Sequence, residues 1–161
     1  RHCGRGRHST KWPILSIKSK KENDLATGHV GELLSAAELM RRGWIVSFPF
    51  APCPFDALAT KGGHSVRLQV KSGEPYIEKG RSSTRYRFKT HRNNSGPYAD
   101  NDFDFWIFVA LEHHVFFVIP FAEILPIFPQ WRPAKRGDPM DAWRNRFELL
   151  EKCDEKCDAI A

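Results

Sequence analysis

Asp56, Gln69 and Lys71 sit on the two arms of a glycine turn. Phe55-Asp56-Ala57-Leu58-Ala59 leads into Gly62-Gly63, and Val66-Arg67-Leu68-Gln69-Val70-Lys71 leads out of it. Apolar runs on either side of a Gly-Gly pair predict a β-hairpin. Strand side chains alternate with a period of two. Gln69 and Lys71, together with Arg67, therefore face one way, while Val66, Leu68 and Val70 face the other. An acid, an amide oxygen and a lysine converging at one hairpin form the set that metal-assisted phosphodiester hydrolysis needs, with hard oxygens for a cation and an ammonium beside it.

The surrounding elements must place this hairpin. A helix is predicted from Asn23 or Asp24, either of which can cap its start, to Arg42. Gly43 follows where a helix end favours a left-handed residue. Leu33, Leu34, Ala37 and Met40 have the spacing of one buried face. Trp44–Phe48 reads as a first strand, and Pro49, Pro52 and Pro54 stiffen the link into the hairpin. Arg85–Lys89 alternates like a half-exposed strand. Phe105–Val109 and Val115–Ile119 read as two apolar strands joined by a turn at Glu112-His113-His114, with both histidines solvated. Pro120 opens a short helical turn. A proline-rich link then leads to a last helix over Met140–Lys156, with Trp143, Phe147 and Leu150 turned inward.

Gly28-His29-Val30-Gly31-Glu32 in the helix, Phe55-Asp56, Gln69-Val70-Lys71, and Asp102-Phe103-Asp104-Phe105 running on to Val118-Ile119-Pro120 occur in this order. Together they resemble the PD-(D/E)XK nuclease superfamily, which includes type II restriction enzymes, archaeal Holliday junction resolvases and some intron-encoded homing endonucleases, and within it the subgroup that carries Gln-x-Lys. The resemblance covers roughly residues 27 to 125. It implies an α/β, restriction-endonuclease-like core of αβββαβ type, a mixed sheet flanked by helices. It also implies that Glu32, Asp56, Gln69 and Lys71 are catalytic and that Asp56, Gln69 and the Val70 carbonyl hold Mg²⁺, with Mn²⁺ a possible substitute. Lys71 would orient or help deprotonate the attacking water, and Glu32 would touch the metal through water. Gly28 and Gly31 would let the helix sit close to the sheet. Cleavage would leave 5′-phosphate and 3′-hydroxyl ends. Gln69 stands where the superfamily usually has a second acid, so metal affinity rests more on Asp56.

Lys79, Arg81, Arg85, Arg87, Lys89 and Arg92 crowd a segment free of Asp and Glu, interleaved with hydroxyl residues. This suits phosphate contact along DNA more than base reading. The net charge of +6 over 161 residues agrees with a polyanionic partner. Three regions follow: a basic arm over 1–22, the nuclease-like core over 23–126 and a C-terminal helical extension over 127–161. No apolar run is long enough to span a membrane. Four cysteines are too few for a disulfide framework at this length and suit reduced thiols in a cytoplasmic protein. Cys153 and Cys157 lie one helical turn apart, but zinc would need two more ligands, for which Cys3 and His8 are the obvious donors. Cutting both strands of a duplex would call for a homo-oligomer, since two-fold symmetry supplies two sites. The competing readings are a non-catalytic DNA-binding module that keeps the fold and, less directly, an RNA-binding or RNA-processing domain.

Overall fold

In the computed structural model, which describes residues 20–77, 79, 83–90, 97–123 and 130–151, the chain opens with helix α1 (Lys20–Arg41). The helix begins a few residues before the expected cap. Its end is as the glycine predicts: Gly43 takes φ +84°, and the amides of Gly43 and Trp44 turn back to the carbonyls of Met40 and Leu39 at 3.0 and 3.1 Å.

Strands β1 (Ile45–Ser47), β2 (Ala57–Lys61) and β3 (His64–Gly73) follow. β1 is shorter than Trp44–Phe48, because the prolines beyond Phe48 lack the amides that a ladder uses. Gly62 and Gly63, both at positive φ, close the β2–β3 hairpin. The chain continues through β4 (Tyr76–Ile77), β5 (Thr84–Arg87), β6 (Phe105–Ala110), β7 (Val115–Pro120) and β8 (Gln130–Trp131). The main sheet runs β1-β2-β3-β6-β7, antiparallel except where β6 pairs parallel to β3. Returning from β3 to a parallel neighbour demands a crossover. Among the described residues no helix carries it; β4 and β5 do, and with β8 they form a second sheet of order β4-β5-β8.

One face of the main sheet presents Val66, Leu68, Val70, Phe105, Ile107 and Val109 to α1 and to a 3-10 turn at Phe147–Glu151. The other presents Trp106, Phe108, Phe117 and Ile119 to Tyr86, Phe88 and Trp131 of the small sheet. The period-two reading of β3 therefore holds, with its valines and leucine in the first of these cores.

Several expectations are corrected. The face that α1 lays on the sheet is not Leu33, Ala37 and Met40; it is Gly31, Ser35, Ala36 and Leu39, with Leu34 half-buried, while Leu33 is 63% and Met40 62% exposed. Small residues win this face because the helix comes very close to β3: a Cβ added to Gly31 would stand 2.5 Å from the Ser72 Cβ. Gly28 has no such role, since nothing lies within 4 Å of its would-be Cβ.

The predicted helix over Met140–Lys156 is instead two 3-10 turns, Pro139–Trp143 and Phe147–Glu151, as far as the described residues extend. Asn145 breaks it, adopting φ +54° and pairing with β7 through its amide on Phe116 O at 2.8 Å and its Oδ1 on the Phe116 amide at 3.3 Å. The turns still bury Phe147 and Leu150 as expected. His113 is exposed but not simply solvated, since its Nδ1 meets the Tyr86 hydroxyl at 2.6 Å. Of the basic arm expected over 1–22, residues 20–22 belong instead to α1, and residues 1–19, like the pair Cys153/Cys157, lie outside the described residues. No helix among those described is long and apolar enough to cross a membrane.

Candidate active site

The site forms where β2 stops and β3 continues. Ala57 pairs with Leu68, and the Asp56 amide still donates to Leu68 O at 2.8 Å. Beyond that point the chain before Asp56 departs, leaving the β2-side edge of Gln69–Gly73 open. Asp56 fills the first gap with its side chain. Its Oδ2 accepts from the Val70 amide at 2.8 Å and from Gln69 Nε2. The amide and carbonyl of one strand residue point to the same edge. The Val70 carbonyl is therefore directed along the edge on which Asp56 stands. With Oδ2 taken by both donors, Oδ1 is the carboxylate oxygen left over.

Gln69 is 3% exposed, and its burial fixes the amide at the carboxylate. Its nitrogen end serves Asp56, leaving Oε1 as the acceptor end of the same group. Burial pushes the Asp56 carboxyl above the ordinary aspartate range. The Lys71 charge and the Val70 amide pull it back, the Glu32 charge pushes it up again, and the Gln69 bond opposes that. The Asp56 carboxyl thus lies within reach of the charges of both Lys71 and Glu32.

Glu32 reaches this corner because α1 is seated so tightly. Beside the close approach of Gly31, Ser72 Oγ donates to Thr27 O at 2.7 Å and Ser35 Oγ donates to Gly31 O at 2.8 Å. The half-buried Glu32 carboxylate also meets His29 Nδ1 at 3.4 Å.

Two further features border the site. The Lys71 ammonium lies 5.7 Å from the centre of the Tyr98 ring, within cation–π range. Tyr98 is held edge-on against Phe103 and Trp106 at 5.1 and 5.3 Å. Asp104 clamps Arg67, accepting from its amide at 2.7 Å and from its guanidinium at 2.7 and 3.2 Å, while its own amide donates to Arg67 O at 2.9 Å. This clamp ties the start of β6 to β3 and carries the Tyr98 loop with it. Asp104 lies in the motif stretch Asp102-Phe103-Asp104-Phe105, whereas Tyr98 belongs to no motif and is placed by the fold.

Among the described residues no three His, Cys, Asp or Glu side chains gather into a metal cage. The oxygens on offer are those of Asp56 Oδ1, Gln69 Oε1 and the Val70 carbonyl. Hard oxygens with room for water suit Mg²⁺ or Mn²⁺ rather than a soft-metal centre.

The basic segment is less uniform than its sequence. Arg87 and Lys89 are exposed, Arg87 over the Tyr76 ring at 5.3 Å, and Lys79 is exposed nearby in the chain. Arg85, which pairs with Tyr76 of β4, is only 8% exposed. It is not a free phosphate contact. Arg81 and Arg92 lie outside the described residues.

No curated protein matches this sequence. The fold is similar to that of the bacterial homing endonuclease I-Ssp6803I, with a TM-score of 0.65 at 20% identity, over 82% of this chain and 96% of that one. A family model described as PD-(D/E)XK endonuclease matches residues 22–132, a span that takes in Glu32, Asp56, Gln69 and Lys71. With the motif order, the sheet and the family model in agreement, the chain belongs to the PD-(D/E)XK endonuclease family.

Proposed function

We propose that this protein is a divalent-metal-dependent DNA endonuclease, hydrolysing phosphodiesters to 5′-phosphate and 3′-hydroxyl ends as a cytoplasmic homo-oligomer. The observation that carries the reading is the Asp56 carboxylate. It is half-buried, tied at Oδ2 by Gln69 and Val70, and surrounded by the charges of Lys71 and Glu32. A buried, partly countered carboxylate is costly to keep unless a cation uses it.

Asp56 Oδ1, Gln69 Oε1 and the Val70 carbonyl would hold Mg²⁺, or Mn²⁺ in its place. When bound, the ion would stabilise charge on the attacking and leaving oxygens. Lys71 holds its ammonium beside the reacting phosphate, orienting the attacking water and offsetting charge that builds on phosphorus oxygens. Glu32 faces the same space from α1 and orders water at its rim. Arg87, Lys89 and Lys79, with Arg81 and Arg92 of the same run, bind the DNA backbone outside the centre.

The test is nicking of supercoiled plasmid and of four-way junctions with Mg²⁺ or Mn²⁺, for the wild type, Asp56→Ala and Lys71→Ala. Metal-dependent nicking lost in both variants is expected. Because Gln69 contributes no charge where an acid is usual, a binder without activity is the specific alternative. DNA binding by the wild type without any metal-dependent nicking would establish it. Preference for duplex RNA in competition would point to RNA instead.

A further inference from the structure

Val66, Leu68 and Val70 line the side of β3 that faces α1, and the next residue on that side is Ser72. A hydroxyl therefore ends an apolar run directly beneath the helix. Its Oγ donates to Thr27 O at 2.7 Å, the carbonyl toward which the Gly31 amide points within the helix. The Thr27 hydroxyl donates in turn to Glu74 Oε1 at 3.1 Å, just past the end of β3. Over the same serine stands Gly31, where an added Cβ would lie 2.5 Å from Ser72 Cβ and 2.8 Å from Ser72 Oγ. Ser35, 2% exposed, donates its Oγ to Gly31 O at 2.8 Å. The helix turn over 27–31 is thus held to β3 in both height and rotation. Glu32 is the next residue.

Ser72 also has a neighbour in the site. Lys71 precedes it, and alternation sends the ammonium to the opposite face, toward the Tyr98 ring. One peptide unit of β3 therefore carries the lysine of the centre on one side and the seat of the Glu32 helix on the other.

We propose that Ser72 is a positioning residue for catalysis. Through its bond to Thr27 and its contact with Gly31 it fixes where the Glu32 carboxylate stands relative to Lys71 and Asp56. The inference rests on the nuclease reading, in which Glu32 orders water at the rim of the centre. Apolar packing alone resists approach; a bonded hydroxyl beneath a glycine sets one height. Carbon atoms in contact rest about 3.5–4.0 Å apart, so a methyl group at position 31 would lift α1 by roughly 1 Å. A displacement of that size can cost about 100-fold in rate.

The test is a double-mutant cycle between Ser72→Ala and Glu32→Gln. It is read by steady-state nicking and, without DNA, by Mn²⁺ binding followed through electron paramagnetic resonance. Ser72→Ala keeps the Cβ on which Gly31 rests, so its melting should stay near the wild type. Its kcat should fall roughly 10-fold at unaltered KM, and its Mn²⁺ affinity should fall several-fold. In the Glu32→Gln background the same change should cost nothing further, because the group it positions is already gone. A serine that serves only the fold would give losses that multiply, or a lower melting temperature with kcat intact.

Gly31→Ala probes the steric half. Its kcat should fall about 100-fold, and adding Ser72→Gly, which removes both crowded atoms, should return it to the level of Ser72→Ala. If Gly31→Ala does not fold, the first cycle decides. Wild-type kcat in Ser72→Ala, multiplying losses, or no relief of a folded Gly31→Ala by Ser72→Gly would overturn the proposal and leave the nuclease reading standing. A wild type that binds Mn²⁺ without nicking would sink the nuclease reading, and the cycle in Mn²⁺ affinity then judges the role of Ser72. A wild type that does neither overturns both.

Discussion

Strands β3 and β5 both alternate polar and apolar residues, and their polar side chains meet different fates. On β3 each is engaged: Arg67 by Asp104, Gln69 by Asp56, and Lys71 by the charge of Asp56 and the ring of Tyr98. On β5 Arg85 is buried opposite Tyr76 of β4, while Arg87, and Lys89 just beyond, reach solvent. Positions in the first set are tied to fixed partners, which is what orientation for chemistry on phosphorus needs. Those in the second need only reach, which suffices for backbone phosphates. Substitutions on β3 should therefore change rate steeply, and those on β5 should change affinity and its salt dependence.

Asp56→Asn gives the largest expected effect. Losing the charged ligand removes several kcal/mol of charge stabilisation, which corresponds to a fall in kcat/KM of roughly 10³-fold or more, measured as single-turnover nicking at saturating metal. The same change should stabilise the fold. The folded Asp56 carboxyl titrates above its ordinary value, so folding disfavours its ionisation. Its contribution to stability is fully present below the unfolded pKa of about 4 and is lost as pH rises through the folded value. Urea unfolding in EDTA should thus find Asp56→Asn more stable than wild type at neutral pH, with the gap closing in acid. A variant less stable than wild type at neutral pH would mean that the Gln69 and Val70 bonds outweigh burial.

Tyr98 tests whether Lys71 is held as firmly as Gln69. Tyr98→Phe keeps the ring and should retain activity. Tyr98→Leu keeps apolar bulk against Phe103 and Trp106 but removes the cation–π partner, and kcat should fall roughly 3- to 30-fold with KM unaltered. Equal losses in the two variants would assign the effect to the hydroxyl and remove Tyr98's ring from the comparison.

The contrast also explains what the sequence could disclose. The hairpin, its glycine turn and the two faces of β3 follow from period-two alternation, which a strand obeys wherever it pairs. Gly28 and Gly31 look alike in sequence as close approaches, yet only at Gly31 would a Cβ strike Ser72. Burial of whole elements is another matter. The apolar spacing of Leu33, Ala37 and Met40 is genuine, yet nothing local says whether such a stripe meets the sheet of its own chain or another surface. Arg85 looked exposed because alternation puts it on one face with Arg87, while what packs over each position is tertiary: Arg85 is buried and Arg87 is not. The helix expected from Met140 failed at Asn145, whose left-handed backbone and pairing to Phe116 are tertiary. Likewise Asp104 and Arg67, distant in sequence, could be joined only once β6 lay beside β3.

The smallest effects belong to β5, and they discriminate best. Arg87→Ala and Lys89→Ala should each weaken DNA binding a few-fold and lower the salt slope by about one for each phosphate left without its cation. The nicking rate at saturating DNA should not change, because neither side chain takes part in the bonded network around Asp56. Arg85→Ala should behave oppositely, costing fold stability by about 1–3 kcal/mol through the loss of a buried polar group, with the salt slope intact. If Arg87→Ala instead lowered the saturated rate, the small sheet would be part of the catalytic centre. The Tyr76 ring beneath Arg87 would then do for that side chain what Tyr98 does for Lys71, and the division between held and reaching residues would fall within the small sheet rather than between the two.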